Sequence, residues 1–465
     1  MAAWLGAGCG SSASSGDTGS GGAPATGGNS GAAGATTTGG APGTGGARAT
    51  GGAVGTGGVR ATGGTTGNGG AHATGGSTGT GGTAGNRGTA GSVGTAGTRG
   101  TGGSPQTGGM TGGMTGGTAG HAGNPNGACS TSLPTSAHAA DTSTPTTVVG
   151  SGTASSCTFS ALQAAVTKGG VVTFNCGPAP VSIAVTATLN LPINVNTVVD
   201  GGNKVTLDGG NAVQILNFHS ANFQALDTVV TLQHLSVVNG KATPTDAIPT
   251  APGACSQGWN DGQGGALWMR DGNLVVVDCV FSNNHAAPRG PDTGGGAIYI
   301  TGSKHGATIA GSTFTGNQGS VGGAIYSLWA ELDIYNTLFS GNLGTGDGAN
   351  SDDASMCSVI NNGQHEVGSG GNGGAIAADG NNFNILLCGD DFENNLAGTG
   401  AFGGALCFTS DNMAGTLSIL DTKMAGNTGG HWTKVTSGSV TNVGTAIGVN
   451  AKSITLSGST IQGVN

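Results

Sequence analysis

The sequence predicts an all-β solenoid preceded by a long disordered segment, and three observations carry that prediction. Gly supplies 100 of the 465 residues, while only 8% are charged and 4% aromatic. Such a bias belongs to low-complexity chain, to collagen or to a glycine-turned repeat fold. The bias also splits into two regimes, the first built from ATGG, GTGG and TAG units, the second from short β runs between Gly, Asn and Asp turns. Within the second regime two short motifs alternate at intervals of about thirty residues, the signature of an internal repeat. Collagen is excluded because no strict Gly-X-Y period rich in Pro runs through the chain.

Residues 10–128 form the first regime. They hold almost no large apolar side chain, so nothing offsets a chain entropy of about 1–2 kcal/mol per residue, and disorder is expected. Asp17, Arg48, Arg60, Arg87 and Arg99 are the charges there, which leaves nine basic and 21 acidic side chains elsewhere. An acidic folded part argues against nucleic acid as a partner. No run of about 18 apolar residues occurs, so no membrane-spanning helix is expected.

Ahead of that segment, Met1-Ala2-Ala3-Trp4-Leu5-Gly6-Ala7-Gly8-Cys9 resembles the end of a bacterial lipoprotein signal, in which small residues precede a cysteine. The resemblance implies lipidation of Cys9, a true start upstream of Met1 and, with Gly10 following, the outer membrane. Expected is a surface-exposed, lipid-anchored or extracellular monomer whose membrane contact is the lipid alone. With Cys9 set aside, Cys129, Cys157, Cys176, Cys255, Cys279, Cys357, Cys388 and Cys407 remain. An even count in an exported chain reads as disulfides of open connectivity. None is spaced as CxxC, so no metal site is expected, and no cofactor is implied.

Residues 129–465 form the second regime and the expected folded domain. One helical stretch, Ser160 to Val166, is stopped by Gly169-Gly170, and Val171 to Gly177 reads as a strand. The first repeat motif is GGA followed by Leu or Ile, beginning at Gly264, Gly295, Gly322, Gly373 and Gly403, with Gly444-Thr445-Ala446-Ile447 as a decayed copy. The second is FxxN: Phe281 to Asn284, Phe314 to Asn317, Phe339 to Asn342, Phe392 to Asn395, and Met424 to Asn427 with Met in the Phe place, while Ile461 takes the Phe place in a last copy. Five places before each Phe position stand Val276, Ile309, Ile334, Leu387, Ile419 and Leu456. Two further back stand Leu274, Ala307, Leu332, Ile385, Leu417 and Ile454. That period of two defines one inward strand face. Three places before each Phe position, Asp278, Gly311, Asn336, Gly389, Asp421 and Gly458 suit a tight or left-handed turn. The long interval from Gly322 to Gly373 reads as one repeat carrying an insertion around Gly348–Gly370. Units this short cannot bury an apolar face alone, so they stack as a β-solenoid; a propeller needs longer, four-stranded blades.

Alternation of GGA[IL] with FxxN over Gly264 to Asn427 is similar to the paired motifs of polymorphic outer membrane proteins. That resemblance implies a right-handed parallel β-helix of the pectin-lyase type. Cys157 to Asp208 resembles the N-terminal cap and first coils of similar bacterial β-helix proteins. Members of that family end in a membrane β-barrel; no such segment follows here, so an N-terminal lipid or simple secretion is expected to replace their export route.

Enzymes of this fold class use clustered carboxylates with calcium and a basic residue, or two or three carboxylates beside a scissile bond. The folded part has only two arginines, Arg270 and Arg289, and its suggestive pair Asp390-Asp391 aligns with an outward repeat position. Asp352-Asp353, with Asn361, Asn362, His365 and Glu366, reads as a solvated loop, and His431-Trp432 as loop residues. No catalytic residue is therefore assigned. If Leu267, Ile298 and Ile325 point inward, Trp268, Tyr299 and Tyr326 point outward on successive repeats. Together they predict an exposed aromatic strip that binds polysaccharide or cell-surface components, against the plainer reading of a stabilising aromatic ladder. The expected function is a non-enzymatic adhesin-like or structural surface protein, with a polysaccharide lyase or glycoside hydrolase as the alternative.

Overall fold

The computed structural model describes residues 123–124, 127, 129–244, 262–290, 293–346, 370–431 and 440–462. Cys9, residues 10–122, Cys255, the bulk of the insertion with Cys357, and Trp432 lie outside them.

Helix α1 spans Phe159–Lys168, longer than expected at both ends. Thr158 caps it by accepting from the Ala161 N–H at 3.2 Å, which satisfies one of the orphan donors of the first turn. Its Leu162, Ala165 and Val166 are buried. Gly169 and Gly170, both at positive φ, end the helix, and a Cys157–Cys176 disulfide staples its start to the end of the following strand.

Among the described residues, everything after α1 is strand and turn. Two long sheets, of 17 and nine strands, are parallel except where Thr441–Val443 pairs with Ile447–Asn450, an arrangement consistent with a β-solenoid. Each repeat sends one strand to the nine-stranded sheet, as Leu267–Arg270 does. It sends two to the other sheet, as Asn273–Val277 and Val280–Ser282 do. Phe281, Phe314, Phe339, Phe392, Met424 and Ile461 stand in one register row, and Val237 continues it upstream. The four phenyl rings stack inside at centroid distances of 4.8, 5.0 and 4.6 Å. Val276, Ile309, Ile334, Leu387 and Ile419 form the second buried row. Leu456 departs from expectation: it is paired with Ile419 yet 44% exposed. Among the described residues its strand is paired on one edge only, and the unpaired edge leaves Leu456 uncovered.

Backbone geometry explains the motifs. The first Gly of GGA holds φ between +60° and +71° in all five copies, where a side chain is strained. At the second, a Cβ on Gly323 would stand 2.2 Å from the carbonyl oxygen of Gly374 in the next repeat. The turn row is left-handed as expected, from Asp278 at +50° to Gly458 at +62°. Asn284, Asn317, Asn342, Asn395 and Asn427 form an internal amide ladder, each Nδ2 donating to the next Oδ1 at 2.8–3.0 Å. Their second amide protons go to backbone oxygens such as Phe281 O and Phe314 O.

A parallel ladder runs two places before the Phe row. The backbone N–H of Cys279 donates to Ser312 Oγ, that of Ser312 to Thr337 Oγ1, that of Thr337 to Asp390 Oδ1, and that of Asp390 to Thr422 Oγ1. Two expectations fail here. Asp390 is not outward but fully buried in this ladder, and burial pushes its carboxyl well above the usual carboxylate range despite the Thr337 N–H. Cys279 is a free, buried thiol, pushed up to about 12 by burial; its Sγ takes the place of a ladder hydroxyl and donates to Val277 O. The eight cysteines therefore do not all pair. Cys129–Cys388 and Cys157–Cys176 are joined, and Cys407 is also disulfide-bonded.

Residues 129–146 form a strap across the outer face of the 17-stranded sheet. Cys129 is joined to Cys388 and Ser130 N–H donates to Asp421. Further on, Ala140 exchanges two hydrogen bonds with Gln233, and Thr142 donates to Asp200. Beneath the strap, Ala310, Tyr335 and Cys388 pack with Ala137, against which Cys129, Leu133, Leu386 and Leu420 also lie. Among the described residues no helix is long and apolar enough to cross a membrane.

Candidate functional site on the nine-stranded sheet

Outward from this sheet stands one register column: Asn190, Asn217, Trp268, Tyr299, Tyr326, Ala377 and Cys407. Leu267, Ile298 and Ile325 are buried on the opposite face, so alternation directs the three aromatic residues outward as expected. Their exposure, however, is not as expected. Tyr299 is 3% and Tyr326 0% exposed, and they meet edge to face at 5.2 Å. Both lie in a second apolar cluster with Val321, Leu328, Ala377 and Phe402, against which Trp268, Trp329 and Val440 pack. Segments connecting the repeats fold over this half of the column, because several large rings in a row offer more apolar area than solvent tolerates.

The other half stays open. Asn190 and His219 are exposed, and Asn217, Trp268 and Arg270 half-buried. The His219 ring lies 4.9 Å from that of Trp268 at 48°, and the next strand sets Arg270 in register with His219. Partial burial, then the Arg270 charge, hold the imidazole below its ordinary value, which favours the neutral ring that both donates and accepts. Asn217 Nδ2 donates to Asn190 Oδ1 at 2.9 Å, a rung that aligns two amides. Arg270 Nε donates to Asn222 O at 3.5 Å.

A rigid rim borders the platform. Fully buried Asp271 accepts from Ala225 N, Leu226 N and Ser220 Oγ, fixing the loop of residues 220–228. That loop carries Phe223, 43% exposed, with its ring 6.1 Å from Trp329 edge to face. Trp268 was legible from the repeats; His219, Asn217 and Asn190 were not, because their strands precede the first GGA copy. The alternation Leu216-Asn217-Phe218-His219 was the available signal.

Carboxylates meet a base elsewhere, on the 17-stranded sheet. Lys423 Nζ stands 3.3 Å from both Asp391 and Glu393. Hydrogen bonding to Glu393 and the charge of Asp391 raise the Lys423 ammonium, which opposes a general-base role. Burial and then Glu393 raise the Asp391 carboxyl. Among the described residues no three His, Cys, Asp or Glu side chains gather as a metal-holding group. His431 is exposed and stands apart from both clusters in the sequence; Asp352, Asp353, Asn361, Asn362, His365 and Glu366 lie outside the described residues. Comparisons of the chain with family models, curated proteins and solved structures find no match.

Proposed function

We propose that this chain is a right-handed parallel β-helix of the pectin-lyase type, with repeats related to those of polymorphic outer membrane proteins. In this reading it is displayed on the cell surface or secreted, with lipid at Cys9 as its anchor. It acts without catalysis, as an adhesin-like protein that holds a glycan of its surroundings on the open half of the nine-stranded sheet. The observation that carries the reading is the contrast within one column: Tyr299 and Tyr326 are sealed, while Trp268 stays half-buried beside His219, Arg270, Asn217 and Asn190. An aromatic face flanked by amides and a neutral imidazole suits a sugar ring, which presents apolar C–H faces and hydroxyls at its edge.

The test is retention of the purified chain on a polysaccharide panel, with product release scored in parallel. Binding that falls at least tenfold in Trp268→Ala, at a nearly unchanged melting temperature, supports the platform. Release of shortened saccharides would instead favour the lyase or hydrolase reading and direct attention to Asp391, Glu393 and Lys423. Equal binding by both proteins would remove the platform from consideration.

A further inference from the structure

The strap runs against the direction in which the repeats stack. Ser130 begins it on Asp421 of the fifth repeat, Ala137 packs with Ala310 of the second, and Ala140 reaches Gln233. Thr142 then reaches Asp200, and Thr146 N–H donates to Val171 O beside the first strands. The chain on the N-terminal side of Cys129 therefore meets the fold at the second to fifth repeats, where Gly123 N–H donates to Thr313 Oγ1 and Asn124 Nδ2 to Gly389 O, and not at the end capped by α1. One covalent bond, Cys129–Cys388, closes a loop 259 residues long at that entry point.

We infer that the Cys129–Cys388 disulfide is a clasp that carries tension past the strap. Tension arriving from the N-terminal side, once the single hydrogen bonds of Gly123 and Asn124 give way, passes from Cys129 directly into Cys388, so residues 130–387 lie outside the covalent path of the force. Cys388 ends a strand that is paired on both edges, with Leu332–Tyr335 and with Thr416–Leu420, so the load enters a supported strand. Without the bond, tension falls first on single strap contacts: Ser130 on Asp421, then the Ala137 packing, then the Ala140–Gln233 pair. These are spaced along the strap and fail one after another rather than together. Peeling then uncovers Ala310 and Tyr335, which are 3% and 5% exposed, and reaches α1. The strands that carry Asn190, Asn217, His219 and Trp268 lie within the shielded stretch, but the inference does not depend on the glycan reading.

Force spectroscopy on the full chain, held by its two ends under oxidising conditions, tests the clasp. Ser130 to Thr146, at about 3.3–3.6 Å per residue, amounts to roughly 60 Å of contour. The oxidised chain is expected to show no such release at low force. Cys129→Ser is expected to show it as the first event, and adding a phosphine reductant to the folded, tethered wild-type chain is expected to produce the same event without any substitution. An early release of this size in the oxidised chain would overturn the inference, because the load would not be bypassing the strap. Its absence after reduction would overturn it equally, because the strap would be holding without the bond.

Discussion

Asn342 Nδ2 donates to Asn395 Oδ1 at 2.9 Å although 53 residues separate them. The same rung spans only 25 residues between Asn317 and Asn342. Register on either side of the long interval is unbroken, with Ile325 opposite Ile376 and Phe339 opposite Phe392. The repeats on either side of the long interval thus stack without a gap, and the ladder is indifferent to the number of residues between its rungs.

Asn342→Ala removes an acceptor for the N–H and Nδ2 groups of Asn317 and a donor to Phe314 O. Each buried group left unpaired costs about 1–3 kcal/mol, so a loss of about 3 kcal/mol or more is expected in urea unfolding. Ser340→Ala, on the outward side of the neighbouring strand, is expected to stay within about 0.5 kcal/mol of wild type. Similar losses in the two variants would show the ladder to be dispensable.

Asp390 gives a pH dependence with a definite sign. Its carboxyl is raised in the fold, so it binds its proton more tightly folded than unfolded. The stabilisation it contributes is complete below about pH 3.9 and is lost as pH climbs from there toward the folded value. Asp390→Thr, which copies Thr337 and Thr422 in the same ladder, is expected to melt higher than wild type at pH 7, with the gap closing toward pH 4. A gap that stays constant across that range would refute a buried, protonated Asp390.

Cys279 is expected to resist alkylation in the native chain and to react once the chain is unfolded, since the thiolate is the nucleophile and burial raises the thiol to about 12. Cys279→Ser should fold normally, because Ser312 already fills the equivalent place in the next repeat. Rapid native-state labelling at this position, read by peptide mass, would contradict its burial.

Stability and binding should separate along one outward column. Tyr326→Ala empties a sealed site and is expected to cost about 3–5 kcal/mol, as large aromatic truncations do. Trp268→Ala, half-buried at the open end, is expected to cost much less in denaturant while reducing glycan retention. The opposite order in chemical denaturation would place the open half of the sheet at the wrong end.

Much of the architecture was legible because each repeat states its backbone locally. Period-two alternation identified the buried rows from Val276 to Ile419, and the Gly, Asn and Asp turn positions marked left-handed φ without any distant information. Two upstream strands, Thr197–Asp208 and Val229–Val238, join the same rows but lack both motifs, so the repeats began earlier than the motif count implied. Asp390 was misplaced because an acid in line with Cys279, Ser312 and Thr422 looks like a surface residue. The ladder that surrounds it exists only once the repeats are stacked.

The sequence by itself determined the strand period, the repeat boundaries, the inward rows and the outward direction of Trp268, Tyr299 and Tyr326. Each of these follows from backbone geometry within a few residues. Only the tertiary structure decided which outward residues meet solvent, because that depends on segments remote in the chain. The strap covers Tyr335 and Cys388 from some two hundred residues upstream, Phe402 and Val440 come to Tyr299 and Tyr326 from later repeats, and the Asp271-fixed loop borders Arg270. Alternation sets where a side chain points; what lies in its way is set by chain that alternation does not describe.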